Sequence, residues 1–230
     1  MKLPISKRLL CCASMIERHS RVADVGTDHG YLPIYLLQQK IADCVLACDL
    51  REGPLGAAKR NCEKFGITEK IEFRLSDGLE NVSPEEFDTL VCAGMGADLI
   101  ERILKNAKWL CSEKYTLILQ PQSTPQTLRT FLAENGFVIA EEKLLKEGKF
   151  FYTVMRVKKG ETSRLSFGQQ FVSVPLLHSQ SPFLPEFLDR QEQLLSVTIT
   201  GLKAAKAQDP DKLAYYETAL REIQEMRKSL

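Results

Sequence analysis

With 230 residues, 44% of them hydrophobic, the chain has enough length for one large domain with a packed core plus an appendage. Its net charge of +1 supplies no global field that would demand a polyanionic partner. The first sixteen residues carry Lys2, Lys7 and Arg8 among short apolar runs, which is not a signal-peptide pattern, and no run approaches a membrane span.

Residues 5–19 read as an amphipathic helix, with Leu9, Cys12, Ala13 and Ile16 on one face and Lys7, Arg8 and Arg18 off it. From there β/α units alternate to about residue 134, with helices expected near 31–40, 52–65, 96–107 and 124–135. The first strand pattern ends in Asp24-Val25-Gly26, and a helix pattern begins near Tyr31. Gly26 and Gly30 flank the connecting turn. Glycine there lets the backbone take strained dihedrals and approach a ligand closely, while the N–H groups opening the next helix face the crevice. This reads as the first strand–turn–helix of a doubly wound nucleotide or S-adenosyl-L-methionine (AdoMet) site.

The second apolar run, Cys44–Cys48, ends in Asp49-Leu50. Asp49 stands roughly twenty residues past the glycine turn, where such folds place the carboxylate that accepts from ribose hydroxyls. The third, Ile71–Leu75, ends in Ser76-Asp77-Gly78, and the fourth, Phe87–Cys92, ends in Ala93-Gly94-Met95-Gly96. The fifth, Tyr115–Gln120, runs into Pro121-Gln122. Gly or Asp thus recurs at the carboxyl tips of the first four strands, the edge where open α/β sheets bind ligands. The first turn is not the G-x-G-x-x-G of a nicotinamide site. A carboxylate at Asp28 would repel a pyrophosphate but suits the ammonium and sulfonium of AdoMet. Asp28 is also placed to cap the following helix, and both roles can hold together. Asp77 is a candidate acceptor for the adenine 6-amino group.

Two strand patterns, Phe137–Leu145 and Phe150–Val157, follow with only the Glu147-Gly148 turn between them. They predict a hairpin whose final strand runs antiparallel at or near the sheet edge. The expected fold is α/β, a Rossmann-like seven-stranded class I methyltransferase sheet over 1–160, with 161–230 as linker and C-terminal helical hairpin. Residues 158–185 read as the linker. Leu188, Leu195 and Leu202 then recur at seven-residue spacing, Asp209-Pro210 opens a second helix, and Leu213, Tyr216, Leu220 and Ile223 form its stripe. A free-standing coiled coil and a hairpin packed on the main domain both fit this pattern. The seven cysteines include no CxxC pair and read as small residues in a reducing compartment, not as disulfides or zinc ligands. His19, His29 and His178 are too scattered to suggest a metal. A cytoplasmic, metal-free protein is expected.

Leu3-Pro-Ile-Ser-Lys-Arg-Leu, Asp24-Val-Gly-Thr-Asp-His-Gly-Tyr-Leu-Pro33, Ala93-Gly-Met-Gly96 and Leu119-Gln-Pro121 resemble the bacterial tRNA methyltransferases that modify N1 of adenine 22 (TrmK-like). The resemblance covers essentially the whole chain, the tail included. Asp-His inside a methyltransferase glycine turn is its specific part, and Ala97 departs from it where a glycine would be expected. The resemblance implies methyl transfer from AdoMet to tRNA. The expected cofactor set is Asp24, Gly26, Gly30, Asp49, Leu50, Asp77, Gly78, Ala93, Gly94 and Met95. The expected catalytic set is Asp28, His29, Tyr31, Gln120 and Pro121, with Cys92 as a wall residue. Adenine N1 carries an in-plane lone pair, so the site needs positioning and stabilisation of a developing cation, not a strong base. The Asn-Pro-Pro-Tyr motif of exocyclic amino methyltransferases is absent, in keeping with attack at a ring nitrogen.

With so little net charge, tRNA would need local basic patches. The candidates are Lys7, Arg8, Arg18 and Arg21, then Arg51, Lys59 and Arg60, then Lys203 and Lys206 on a tail that sums to −1. The N-terminal helix and the tail are expected to clamp the RNA around the strand tips, and the protein to act as a monomer. The competing readings are a methyltransferase for a small molecule or protein, and an inactive RNA-binding factor of the same fold. An NAD-dependent oxidoreductase is disfavoured by the first turn.

Overall fold

Along the central strands, neighbouring apolar residues part to opposite sides, following the two-residue period of extended backbone. The computed structural model describes residues 2–161, 163–205, 207 and 209–230. One core layer takes Ala23 and Val25, Leu46 and Cys48, Leu90 and Cys92, and Leu117 and Leu119. The interleaved Val22, Val45, Val91 and Ile118 enter the other layer. A sheet buried on both faces needs helices on both, and the connections supply them. After α1 (Lys7–Ala13), strands β1 (Ser20–Val25), β2 (Ala42–Asp49), β3 (Ile71–Leu75), β4 (Thr89–Gly96) and β5 (Thr116–Ser123) alternate with α2 (Tyr31–Gln38), α3 (Glu52–Lys64), α4 (Ala97–Asn106) and α5 (Pro125–Glu134). In α4 the buried Ile100, Ile103 and Leu104 share one face, and the exposed Arg102 and Lys105 lie off it, a 3.6-residue pattern.

The strand order is β3-β2-β1-β4-β5-β7-β6, where β6 (Phe137–Glu147) and β7 (Phe150–Lys159) form the expected hairpin. β1 to β5 are parallel. β7 inserts antiparallel between β5 and β6, one place in from the edge. The edge strand β6 therefore runs with β5, and the β6–β7 turn lies at the sheet's carboxyl edge. The chain steps outward from β1 to β3, then returns to β4 on the other side of β1. That reversal opens a crevice at the carboxyl tips of β1 and β4.

Two expectations need correcting. The N-terminal helix ends at Ala13, not near residue 19. Met15 and Ile16 bond back three residues, to Cys12 and Ala13, and His19 turns the chain into β1 at φ 67°. Both apolar side chains stay buried, so the burial pattern persists after the helix has stopped. The linker is not irregular throughout. It holds α6 (Phe167–Phe171), closed by a reciprocal Ser166–Gln169 capping box, and α7 (Val174–Leu177), capped by Ser173.

These short helices dock the tail. Arg129 of α5 and Glu142 of β6 are fully buried and paired at 2.6 Å. Arg129 Nη1 also donates to the carbonyls of Gln170 and Phe171, at 2.9 and 3.1 Å, and Ser173 Oγ donates to Glu142. α8 (Leu184–Ala204) and α9 (Pro210–Lys228) then form the helical hairpin. Leu188, Leu195, Ala219 and Ile223 are buried in it, and the Asp209 side chain accepts from Lys212 N at 2.9 Å. The same apolar cluster includes Leu144 of β6, and Phe151 of β7 packs against it. The hairpin is therefore anchored on the sheet at its base. Lys206 lies outside the described residues.

Candidate active site

The tips of β1, β2, β4 and β5, the residues after β3 and the start of the chain enclose a pocket of about 540 Å³. That is a volume suited to a cofactor-sized ligand. Its frame is the first glycine turn. Gly26 N and Thr27 N both donate to Cys48 O at 2.9 Å, which folds the turn over the β1–β2 junction. Gly26 has φ 77°, which favours glycine, and a Cβ there would lie 2.4 Å from Met95 Cε, so the end of that flexible side chain would have to move within the pocket wall. Asn61 of α3 donates to His29 O at 2.9 Å and fixes the far side.

Within this frame Asp49 is buried, its two oxygens accepting from Asp28 N at 3.2 Å and Arg51 N at 3.0 Å. Asp24 lies deeper, 4% exposed. Burial pushes its carboxyl up to about 6, the adjacent Thr27 hydroxyl pulls it back, and the neighbouring Asp49 charge adds to the rise. Thr27 Oγ1 is buried beside it, and among the described residues it makes no hydrogen bond of full geometry. Asp77 is half-covered and bonded through Oδ1 to Arg102 at 3.0 Å. Leu50 and Leu99 are apolar yet 59% and 36% exposed, and both line the pocket.

Toward the mouth, the Asp28 carboxylate stands 3.7 Å from His29, whose ring stacks on Tyr31 at 5.5 Å and 22°. Asp28 makes no helix cap, because α2 is preceded by Gly30 without any side-chain cap bond. Its carboxylate is left open to the pocket. At the end of β4 the register with β5 slips around Gly94, which takes φ 76°. Such bulges re-aim a strand tip. Gln120 holds this one, its Oε1 accepting from Gly94 N at 3.0 Å while its Nε2 donates to Pro121 O at 2.9 Å.

Of the residues singled out in the sequence, Asp24, Gly26, Asp28, His29, Tyr31, Asp49, Leu50, Asp77, Gly78, Ala93, Gly94, Met95 and Gln120 line this pocket. Gly30 does not. It packs on α3, where a Cβ would come 3.0 Å from Ala58. Pro121 borders a neighbouring hollow instead, and Cys92 is enclosed in the core, where burial drives its thiol up. The pocket also takes in residues the sequence did not flag for it, among them Ser6, Arg8, Thr27, Leu99, Arg102 and Gln122. Arg8 was noticed only as part of a basic patch. Its guanidinium lies 4.7 Å over the Tyr152 ring, and its buried Nε, 3.5 Å from Glu147, makes no hydrogen bond.

A buried carboxyl and a buried hydroxyl at the floor fit a ligand that carries donors and a positive charge. Asp49 and Asp77 fit a nucleoside, and the bare Leu50 and Leu99 fit the faces of a flat ring. The set of acceptors and apolar faces thus matches AdoMet. Among the described residues no group of three or more His, Cys, Asp or Glu is placed to hold a metal ion.

Comparison with known proteins agrees. A family described as a methyltransferase domain matches residues 5–155. The tRNA (adenine(22)-N(1))-methyltransferase of Bacillus subtilis (strain 168) is 36% identical over 160 residues, 70% of this chain and 67% of that one. The crystal structure of B. subtilis TrmK superposes with a TM-score of 0.86 at 28% identity, covering 98% of this chain and 99% of that one. M. capricolum TrmK, solved with S-adenosyl-homocysteine, gives a TM-score of 0.78 at 29% identity, covering 98% and 97%.

Proposed function

The chain belongs to the bacterial tRNA (adenine-22, N1)-methyltransferase family, and from that premise we propose that its pocket binds AdoMet and directs the methyl to N1 of adenine 22 in tRNA. The observation that carries the reading is the convergence of Asp28, Asp49 and Asp77, from three separate strand ends, on one pocket beneath the glycine turn.

Each residue has a role that its surroundings suit. Asp49, already oriented by two backbone amides, would accept from the ribose hydroxyls. Asp77, with one oxygen held by Arg102, keeps the other for the adenine amino group. Leu50 and Leu99 would cover the ring. Asp24 and Thr27 would receive the ammonium, and Arg8, which lines the pocket, the carboxylate. When bound, AdoMet supplies a methyl on a sulfonium, which the N1 lone pair takes as the C–S bond breaks, leaving a thioether and a cationic 1-methyladenine. Because no proton leaves N1, the protein needs no general base. Asp28 is placed to stabilise the positive base as it forms. The stacked His29–Tyr31 pair offers a flat face for an adenine taken out of its own stack. Gln120 is a positioning residue. Both ends of its amide are engaged, and it holds the Gly94 bulge that walls the pocket.

The division at residues 160 and 161 is supported by the separate apolar cluster of the tail, although that cluster reaches into the sheet through Leu144. A monomer is supported by the burial of Leu188 and Leu195 against α9 within the chain. A cytoplasmic location is supported by the substrate and by seven free thiols. No helix of the described residues is long and apolar enough to cross a membrane.

The test is incubation of the purified protein with unmodified tRNA and AdoMet carrying a labelled methyl, followed by nucleoside mass spectrometry. Label should appear in 1-methyladenosine and vanish when adenine 22 is replaced by guanine. AdoMet binding without any labelled RNA would move the substrate elsewhere.

A further inference from the structure

A second hollow, of about 860 Å³, lies beside the first at the same carboxyl edge of the sheet. Pro121 and Gln122 at the end of β5 border it, the β6–β7 turn contributes Lys149 and Phe150, and α8 contributes Arg190 and Leu194. Gln122 also lines the catalytic pocket, so the two are neighbours across that residue. The catalytic reading uses nothing else from this hollow except Pro121, whose carbonyl accepts from Gln120.

Its chemistry is distinctive. Phe150 is 57% exposed at the tip of the turn, with Lys149 Nζ 5.5 Å from its ring centre. A phenyl ring left in water contributes little to folding. Of the hollow's two carboxylates, Glu186 pairs with Lys146 at 2.6 Å and Asp189 with Arg227, which also meets Glu192. Lys149 and Arg190 have no carboxylate partner among the described residues. An open aromatic face flanked by two uncompensated cations matches an unpaired nucleotide, whose base stacks and whose phosphates attract Lys and Arg.

We infer that this hollow holds an unpaired nucleotide of the tRNA near the target adenosine, its base stacked on Phe150 and its phosphates held by Lys149 and Arg190. The inference rests on the tRNA reading above. It accounts for how a protein of near-zero net charge can grip RNA, with the free cations local to the site.

The test uses the full chain. Phe150→Ala should weaken tRNA affinity about 5- to 150-fold, the range of one lost base–aromatic stack, while AdoMet affinity and Tm stay unchanged. Phe150→Trp should restore affinity, and its fluorescence should be quenched by tRNA beyond the signal of Trp109 in the unsubstituted protein. Lys149→Gln and Arg190→Gln should each lower the slope of log affinity against log salt by about 0.7. Unchanged tRNA affinity in Phe150→Ala would overturn the inference. So would self-association of the unsubstituted protein that Phe150→Ala abolishes, which would assign the face to contact between copies. If the unsubstituted protein labels no tRNA, both readings fall, and that failure is visible before any variant is made.

Discussion

Asp24 carries its burial as a pH dependence. With its carboxyl raised from 3.8 to about 6, the folded chain keeps a proton that the unfolded chain releases, so stability falls as pH rises through that window. That rise corresponds to roughly 3 kcal/mol. Asp24→Asn removes this contribution. Its Tm advantage over the unsubstituted protein should therefore grow between pH 4 and pH 7 in thermal melts without ligand. AdoMet affinity should show the opposite trend in the unsubstituted protein, rising with pH up to about 6 as the carboxylate forms and levelling off above it, and calorimetric titration of Asp24→Asn should show that rise gone. Asp49→Ala removes a charged acceptor, worth about 1.5–3 kcal/mol, so AdoMet should bind about 10- to 150-fold more weakly by calorimetry. Asp49, Asp28 and Gly26 were legible because a strand tip and a glycine turn are local patterns. Arg8 and Arg102 were not. Nothing near them in sequence tells that a guanidinium before the first strand and a helix arginine meet at one pocket.

The glycine turn separates conformational strain from function. Gly26 and Gly66 both take left-handed φ, 77° and 70°, yet a Cβ at Gly66 meets nothing within 4 Å. Gly66→Ala should cost about 1–2 kcal/mol of stability in urea titration and leave AdoMet affinity alone. Gly26→Ala should carry the same strain, and by pushing the end of Met95 aside within the pocket should also weaken AdoMet roughly tenfold. Equal affinities in the two variants would mean the turn needs no close approach. Elsewhere the strand–helix alternation and the β6–β7 hairpin were readable from periodicity. The end of α1 was not, because Met15 and Ile16 keep the apolar spacing while their backbone has already turned.

At the scale of the molecule, the Arg129–Glu142 pair ties sheet, α5 and tail together. Arg129→Met leaves a buried carboxylate without its cation and should cost about 3–5 kcal/mol in urea denaturation. Adding Glu142→Leu should recover much of that loss. The same anchorage bears on the expected clamp. Deleting residues 161–230 would strip cover from Leu144 and Phe151 and remove the carbonyls that bind Arg129. A truncated chain would then lose stability together with RNA contacts, so point changes on exposed residues are the sounder probe.

What the sequence determined by itself was whatever repeats or sits next to its neighbours along the chain. The two-residue and 3.6-residue periods specified strands and helices, because burial of alternate or one-sided residues is the main stabilisation available to each. The residues at consecutive strand ends named the ligand-binding edge and the chemistry of its carboxylates. Tertiary structure decided what depends on distance between remote segments. It set Asp24 deep enough to shift its titration, brought Arg8 to the pocket and enclosed Cys92. It also docked the tail through a buried ion pair and left Phe150 bare beside Lys149 and Arg190. Burial and electrostatic compensation are properties of surroundings assembled from the whole chain, and no local window of sequence contains them.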